Sequence, residues 1–145
     1  MNRLVPGTED HARAIVPLMS EFDRGELEAL AGDPVQCMIN VVRQSIICRC
    51  ALIEDQPAFL GGGSTDGLVW MISTPAVAKA RKFYLRTTRF VADEMQALLP
   101  VMRTQIDVRY CRSLRWVQWL GFSVGDPVQV MGRWVCPIVR MRHVD

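Results

Sequence analysis

The sequence predicts one α/β domain of the α+β kind, a mixed sheet flanked by helices. Three patterns carry that reading: a strand-turn-strand alternation between Ser45 and Gly62, a long amphipathic stretch from Thr74 to Leu98, and a strand-helix-strand unit from Thr104 to Val130. The 145 residues match the commonest size of one compact domain, and 50% are hydrophobic, enough for a sizeable core, so residues 1–145 are expected to form a single domain. Charged residues make up 22% and alternate in sign, the composition of a globular chain. A net charge of +2 gives little reason to expect nucleic acid as a partner.

No apolar run is long enough to cross a bilayer, so membrane insertion is not expected. The opening residues turn acidic at Glu9 and Asp10, which does not read as a secretory signal. Cys37, Cys48, Cys50, Cys111 and Cys136 are odd in number and scattered through apolar segments, a pattern of reduced thiols in a cytoplasm, or in a particle assembled there.

Along the chain, Thr8 caps a helix with an apolar stripe of Ala12, Ile15, Val16, Met19 and Phe22, which Pro17 should kink. Asp23, with Glu26 three residues on, predicts a second start, followed by Leu27 and Leu30. Asp33-Pro34 opens a third helix that buries Val35, Met38, Ile39 and Val42. The chain then becomes a hairpin: a strand from Ser45 through Ile53, a turn at Glu54–Pro57 and a partner strand from Ala58 toward Gly62. Gly61 to Gly67 reads as the most flexible stretch, and Leu68 to Ser73 as a strand suited to the middle of a sheet. Thr74-Pro75 opens the longest helix, with Ala80, Tyr84, Thr87, Val91, Met95 and Leu98 on its buried side and Pro100 ending it. A strand follows over Thr104 to Tyr110, then a helix from Arg112 to Leu120 closed by Gly121 with Phe122 packing back. The closing strands are broken at Gly125-Asp126-Pro127 and Gly132-Arg133.

The segment Cys111-Arg-Ser-Leu-Arg-Trp-Val-Gln-Trp-Leu-Gly-Phe122, set in this order of elements, resembles the GNAT (acyl-CoA N-acyltransferase) fold, where a helix ends in Leu-Gly-Phe at this point. Together with Asp23-Arg-Gly-Glu-Leu-Glu-Ala29 it looks most like short GNAT-like proteins of tailed phages, among them podophage internal virion and morphogenesis proteins. The resemblance implies an antiparallel N-terminal hairpin and a splayed central strand pair, with acetyl-CoA in the cleft where Leu68–Ser73 parts from Thr104–Tyr110. It would assign cofactor contacts to Met71, Ser73, Thr74 and Lys79. Two departures stand against that. Ser73 to Lys79 contains no glycine and Pro75 lacks an N–H, where the family wraps the pyrophosphate with a glycine-rich loop. Val117 stands where the family often has a tyrosine acid, and Tyr110 where an asparagine is common.

Lys79, Lys82, Arg86 and Arg89 recur at three and four residues, with Arg81 beside them and no acid until Asp93, which fits an anion or partner surface as well as a solvated helix face. Trp116 and Trp119 are three apart, so that one can face the core while the other borders a contact surface. Cys111 lies between Arg109 and Arg112 at a helix start, an environment that can activate a thiol, but no obvious base accompanies it, His11 and His143 each lying near a terminus, so a packed, inert thiol is expected. Cys48 and Cys50 share one side of a strand without a second pair, so no metal site is expected. Glu54 and Asp55 sit where a base for an amine could stand, and equally where a turn favours acids.

A retained scaffold beside missing cofactor and acid residues predicts a phage-encoded virion component or assembly factor, not an enzyme, with a degenerate transfer site and no cofactor. Its partner surface would be Lys82, Arg86, Arg89 and Trp119, facing other phage virion or assembly proteins in the particle or the host cytoplasm. The alternative is an acetyl-CoA-dependent N-acetyltransferase of unspecified amine substrate. A third reading is an effector that binds a host protein through Trp119, Trp134 and the basic helix. The oligomeric state is left open.

Overall fold

The computed structural model describes residues 1–20, 23, 24, 27, 28 and 32–143. A short strand, β1 (Arg3–Pro6), precedes helix α1 (Glu9–Ile15), whose capping box joins Thr8 and His11 reciprocally. Pro17 allows only a 3-10 turn, Val16–Leu18, after α1, which is the break expected of it. Helix α2 (Pro34–Gln44) starts at Asp33, whose carboxylate accepts the Val35 and Gln36 N–H groups. The expectations for Phe22, Glu26 and Leu30 lie outside the described residues.

Strands β2 (Ile47–Ile53) and β3 (Gln56–Gly63) form the expected hairpin, closed by the two-residue turn Glu54-Asp55. Both turn residues have positive φ, 53° and 63°, as this tight hairpin twist demands and as non-glycine residues adopt only at a cost. Strand β4 (Val69–Ser73) continues the sheet, in the order β1-β2-β3-β4, all neighbours antiparallel.

Alternation along these strands builds two cores. Cys50, Leu52 and Leu60 face α1 and α2, whereas Ile47, Ala51 and Phe59 face the opposite side. That second side receives Val91, Met95 and Leu99 from the long helical arm. The arm begins as a 3-10 helix, Pro75–Ala80, and continues as α3 (Arg81–Leu98). Of the expected stripe Thr87, Val91 and Met95 are buried, joined by Thr88, Ala92 and Gln96, while Ala80 and Tyr84 are half-buried and Leu98 is exposed. A bidentate ion pair, Arg49 to Glu94 at 2.9 and 3.0 Å, fixes α3 on β2.

Strand β5 (Val101–Asp107) begins and ends three residues earlier than expected. Helix α4 (Cys111–Trp119) is closed as expected: Gly121 has φ 96° and Phe122 returns its N–H to the Val117 carbonyl at 2.9 Å. Strands β6 (Ser123–Val124) and β7 (Val128–Val130) both pair with β8 (Arg133–Met141), whose other edge takes β5. Between β6 and β7 the chain leaves the ladder opposite Pro137, which has no N–H to give, and Gly125 bonds the Pro137 carbonyl at 2.8 Å.

Three expectations are corrected. β1 is a strand where none was expected, recruited by the free edge of β2. Gly61, Gly62 and Gly63 are not flexible but buried within β3, because their neighbours leave no room for a side chain. Finally, β4 lies at the edge of its hydrogen-bonded sheet, although it runs beside β5.

A Cβ at Gly62 would stand 2.6 Å from the Ile47 carbonyl oxygen and 2.9 Å from the Trp70 ring. Gly62→Ala should therefore lower unfolding stability by about 1–3 kcal/mol in urea titrations. Asp55→Gly, which relieves a left-handed residue, should raise it by about 1 kcal/mol in the same assay.

Candidate functional site

Among the described residues, β4 and β5 meet at one parallel bridge, Leu68 with Arg103, where the Arg103 N–H bonds the Gly67 carbonyl at 2.8 Å. Beyond it β4 follows the N-terminal sheet and β5 follows β8, so the two strands part. A cleft of about 1150 Å³ opens between them. Met71 and Ser73 of β4, Arg81 and Tyr84 of α3, and Asp107 at the end of β5 form its walls. Helix α4 contributes Arg112, Arg115, Trp116 and Trp119. Met19, Asp23, and Met131 and Arg133 around the β7–β8 turn complete the lining.

Aromatic contacts hold α4 against α3. Tyr84 stacks on Trp116 with ring centroids 5.9 Å apart, and meets Phe59 edge-on at 6.0 Å. One helical span further along each helix, the Arg89 guanidinium lies 4.2 Å from the centroid of the Trp119 ring and donates to the Trp119 carbonyl at 2.8 Å. Burial pushes the Tyr84 phenol above its ordinary range, the Ser73 hydroxyl offsetting part of it. The Tyr110 phenol is raised as well, by burial first and then by the Asp23 carboxylate. Both phenols therefore carry their protons at neutral pH.

The charges of the cleft fall into two groups. Asp107 is only 6% exposed and accepts from Arg109 at 3.0 Å and Arg133 at 3.1 Å. Its bonds to Arg109 hold the carboxyl below the usual range, so it is a fixed anion and a poor base. Arg81, Arg112 and Arg115, by contrast, are exposed and have no ion-pair partner among the described residues.

The sequence-derived candidates are distributed unevenly. Met71 and Ser73 line the cleft. Thr74 is buried and its oxygens are already used: Oγ1 accepts the Ala76 N–H and the carbonyl accepts the Val77 N–H, each at 3.2 Å. With Pro75 lacking an N–H, the segment has few backbone donors left for an anion. Lys79 is outside the cleft, 3.7 Å from Glu54 across the hairpin turn. Lys82 and Arg86 are exposed on α3 but line no part of the cleft, whereas Arg89 is bound to Trp119. Trp116 faces inward and Trp119 outward, as the spacing implied.

Cys111 is exposed at the first position of α4 and not packed as expected, because the helix turns that position outward, and His11 is engaged with Thr8. Burial pushes the Cys48 and Cys50 thiols up to about 11 and about 12, which keeps both protonated. No three potential metal ligands cluster among the described residues. Glu54 and Asp55 form the hairpin turn away from the cleft. Sequence reasoning missed Arg112 and Arg115; their spacing from Trp119, seven and four residues along α4, was the signal that puts them on one face.

No protein-family model matches the sequence, and no curated protein does. Solved structures do match. The Salmonella typhimurium protein yncA with acetyl-CoA aligns over 100% of this chain and 97% of its own, at 12% identity and a TM-score of 0.71. An acetyltransferase of the GNAT family from Streptococcus pneumoniae covers 97% and 99%, at 13% identity and a TM-score of 0.70. The aminoglycoside acetyltransferase AAC(6')-Ib in complex with coenzyme A covers 98% and 95%, at 14% identity and a TM-score of 0.67. The chain thus has the GNAT fold, a mixed α/β architecture of antiparallel sheets and flanking helices.

The expectation of a virion component or assembly factor is corrected by this comparison. The matching structures include acetyltransferases, some holding coenzyme A or acetyl-CoA, and nothing in them points to a particle protein. The expectation that no cofactor is used loses its support for the same reason.

Because the Asp107 carboxyl is depressed in the fold, its contribution to stability is present above the ordinary carboxylate value, about 3.9, and is lost as pH falls through its folded value. Asp107→Asn should lower the melting temperature at pH 7 and flatten its decline below about pH 5. Thermal unfolding between pH 7 and pH 2 measures both effects.

Proposed function

We propose that this chain is an N-acyltransferase that takes its acyl group from acetyl-CoA. The parting of β4 and β5 carries the reading, because it opens a cleft of about 1150 Å³ beside Arg81, Arg112 and Arg115, which have no ion-pair partner among the described residues. That volume and charge suit a long, anionic, pantetheine-bearing ligand. Met71 and Ser73 would flank the pantetheine arm, and Arg81, Arg112 and Arg115 would hold the phosphates. When bound, acetyl-CoA supplies an acyl group already activated as a thioester.

The protein's own part is orientation and proton transfer. A cleft closed on both sides by strands holds the donor in line with an amine entering past Met19, Asp23 and Met131. Asp23 of the lining would receive a proton from the amine, whereas Asp107 is neutralised by its arginines. Protonated Tyr84 and Tyr110 are the phenols available to protonate a departing thiolate, a role that Val117 cannot fill. Loss of a helix tyrosine is thus compatible with transfer, since a phenol from another element reaches the same cleft.

Calorimetry should show acetyl-CoA binding with a micromolar Kd, and a thiol-release assay against a panel of amines should show turnover. Tyr84→Phe or Tyr110→Phe should reduce kcat by about 100-fold or more at little change in donor affinity, identifying the donor phenol. Absence of heat at millimolar acetyl-CoA would remove this reading.

A further inference from the structure

We propose that side chains of α3 and α4, in place of a backbone loop, grip the nucleotide half of the donor: Arg81, Arg112 and Arg115 its phosphates, and Trp119 its purine. The inference rests on the acetyl-CoA reading and goes beyond it, since it names what selects the donor.

The backbone is largely committed elsewhere. Between β4 and α3 the Ala76 and Val77 N–H groups bond Thr74, and Pro75 has none. Anion binding must therefore draw on side chains, and three arginines of the cleft wall stand without ion-pair partners among the described residues. The contacts of Tyr84 with Trp116 and of Arg89 with Trp119 set the two helices side by side in the same direction. Arg81 and Arg112 accordingly both fall at the starts of their helices, and Trp119 lies farthest along α4.

Seven residues separate Arg112 from Trp119, about 10 Å at the helical rise, close to the reach of a nucleotide from its diphosphate to the far edge of its base. Trp119 is 43% exposed and lines the cleft, yet it is not loose. Arg89 covers the ring and holds the backbone beneath it, which leaves a fixed indole surface of the kind on which a base stacks. Trp116, about one turn earlier on α4, is occupied by Tyr84 and cannot take that role.

The wall also excludes a broader electrostatic explanation. Lys82 and Arg86 are equally basic but lie outside the cleft, so a docking acidic surface would use them and a seated nucleotide would not. Donor binding should consequently depend on Arg112, Arg115 and Trp119 and be indifferent to Lys82 and Arg86.

Calorimetry on the full chain with coenzyme A, dephospho-coenzyme A and phosphopantetheine tests this. Wild type should bind coenzyme A at least tenfold more tightly than phosphopantetheine. Trp119→Ala should weaken coenzyme A binding about tenfold and leave phosphopantetheine unchanged, while Trp119→Phe retains most of the affinity. The double variant Arg112→Ala/Arg115→Ala should lose more than tenfold and show a flatter dependence on salt, and Lys82→Glu/Arg86→Glu should bind as wild type. Unfolding curves confirm that each variant is folded, and the wild-type ligand series stands without any variant. Equal affinity of wild type for coenzyme A and phosphopantetheine, or wild-type affinity in Trp119→Ala, overturns the side-chain grip alone. A wild-type protein that binds none of the three ligands overturns the acetyl-CoA reading with it.

Discussion

Among the described residues the two sheets stay joined at one parallel bridge, where the Arg103 N–H bonds the Gly67 carbonyl, and the cleft exists because pairing stops there. Had β4 and β5 continued as partners, their facing edges would be saturated and the space between them closed. The join is also sterically demanding. Gly67 has φ 89°, and a Cβ there would stand 2.4 Å from the Val101 carbonyl oxygen, so only glycine lets the chain turn from the β3–β4 loop against the start of β5. One unsubstituted residue thus sets the opening of a cleft whose chemistry lies many residues away.

The helices then decide what that opening can hold. Thr74 spends its hydroxyl and carbonyl on the first helical turn, which makes a stable start to the arm but consumes donors near the cleft. Stability of the arm and backbone recognition of an anion compete for the same N–H groups, and here the arm has taken them. Along the facing walls of α3 and α4 the Tyr84–Trp116 stack holds the two helices together. Side chains on such a rigid pair are positioned nearly as well as backbone groups.

Legibility in the sequence followed the range of the forces involved. Helix α4 and its Gly121-Phe122 ending were readable because the signal is local: a left-handed glycine after a helix, then an apolar residue. The Asp33-Pro34 start was readable for the same reason. β1 was not, since Arg3–Pro6 has no alternation of its own and is a strand only because β2 offers an edge. The three glycines of β3 misled because their composition speaks of freedom while Ile47, Trp70 and Leu99 crowd them. In the site, spacing on α3 showed which cations share a face but not which face borders the cleft. That choice depends on how α4 lies, a long-range fact, and it separates Arg81 from Lys82 and Arg86.

Uneven placement of charge has a consequence for how encounters begin. The chain is nearly balanced, at +2, yet Arg81, Lys82, Arg86, Arg112 and Arg115 collect around the neighbouring starts of two helices, while several acids elsewhere are bound to arginines. The molecule is therefore a lopsided dipole, whose field reaches about a Debye length, roughly 8 Å in physiological salt, into the solvent. A polyanion diffusing nearby is turned toward that pole before it touches the surface.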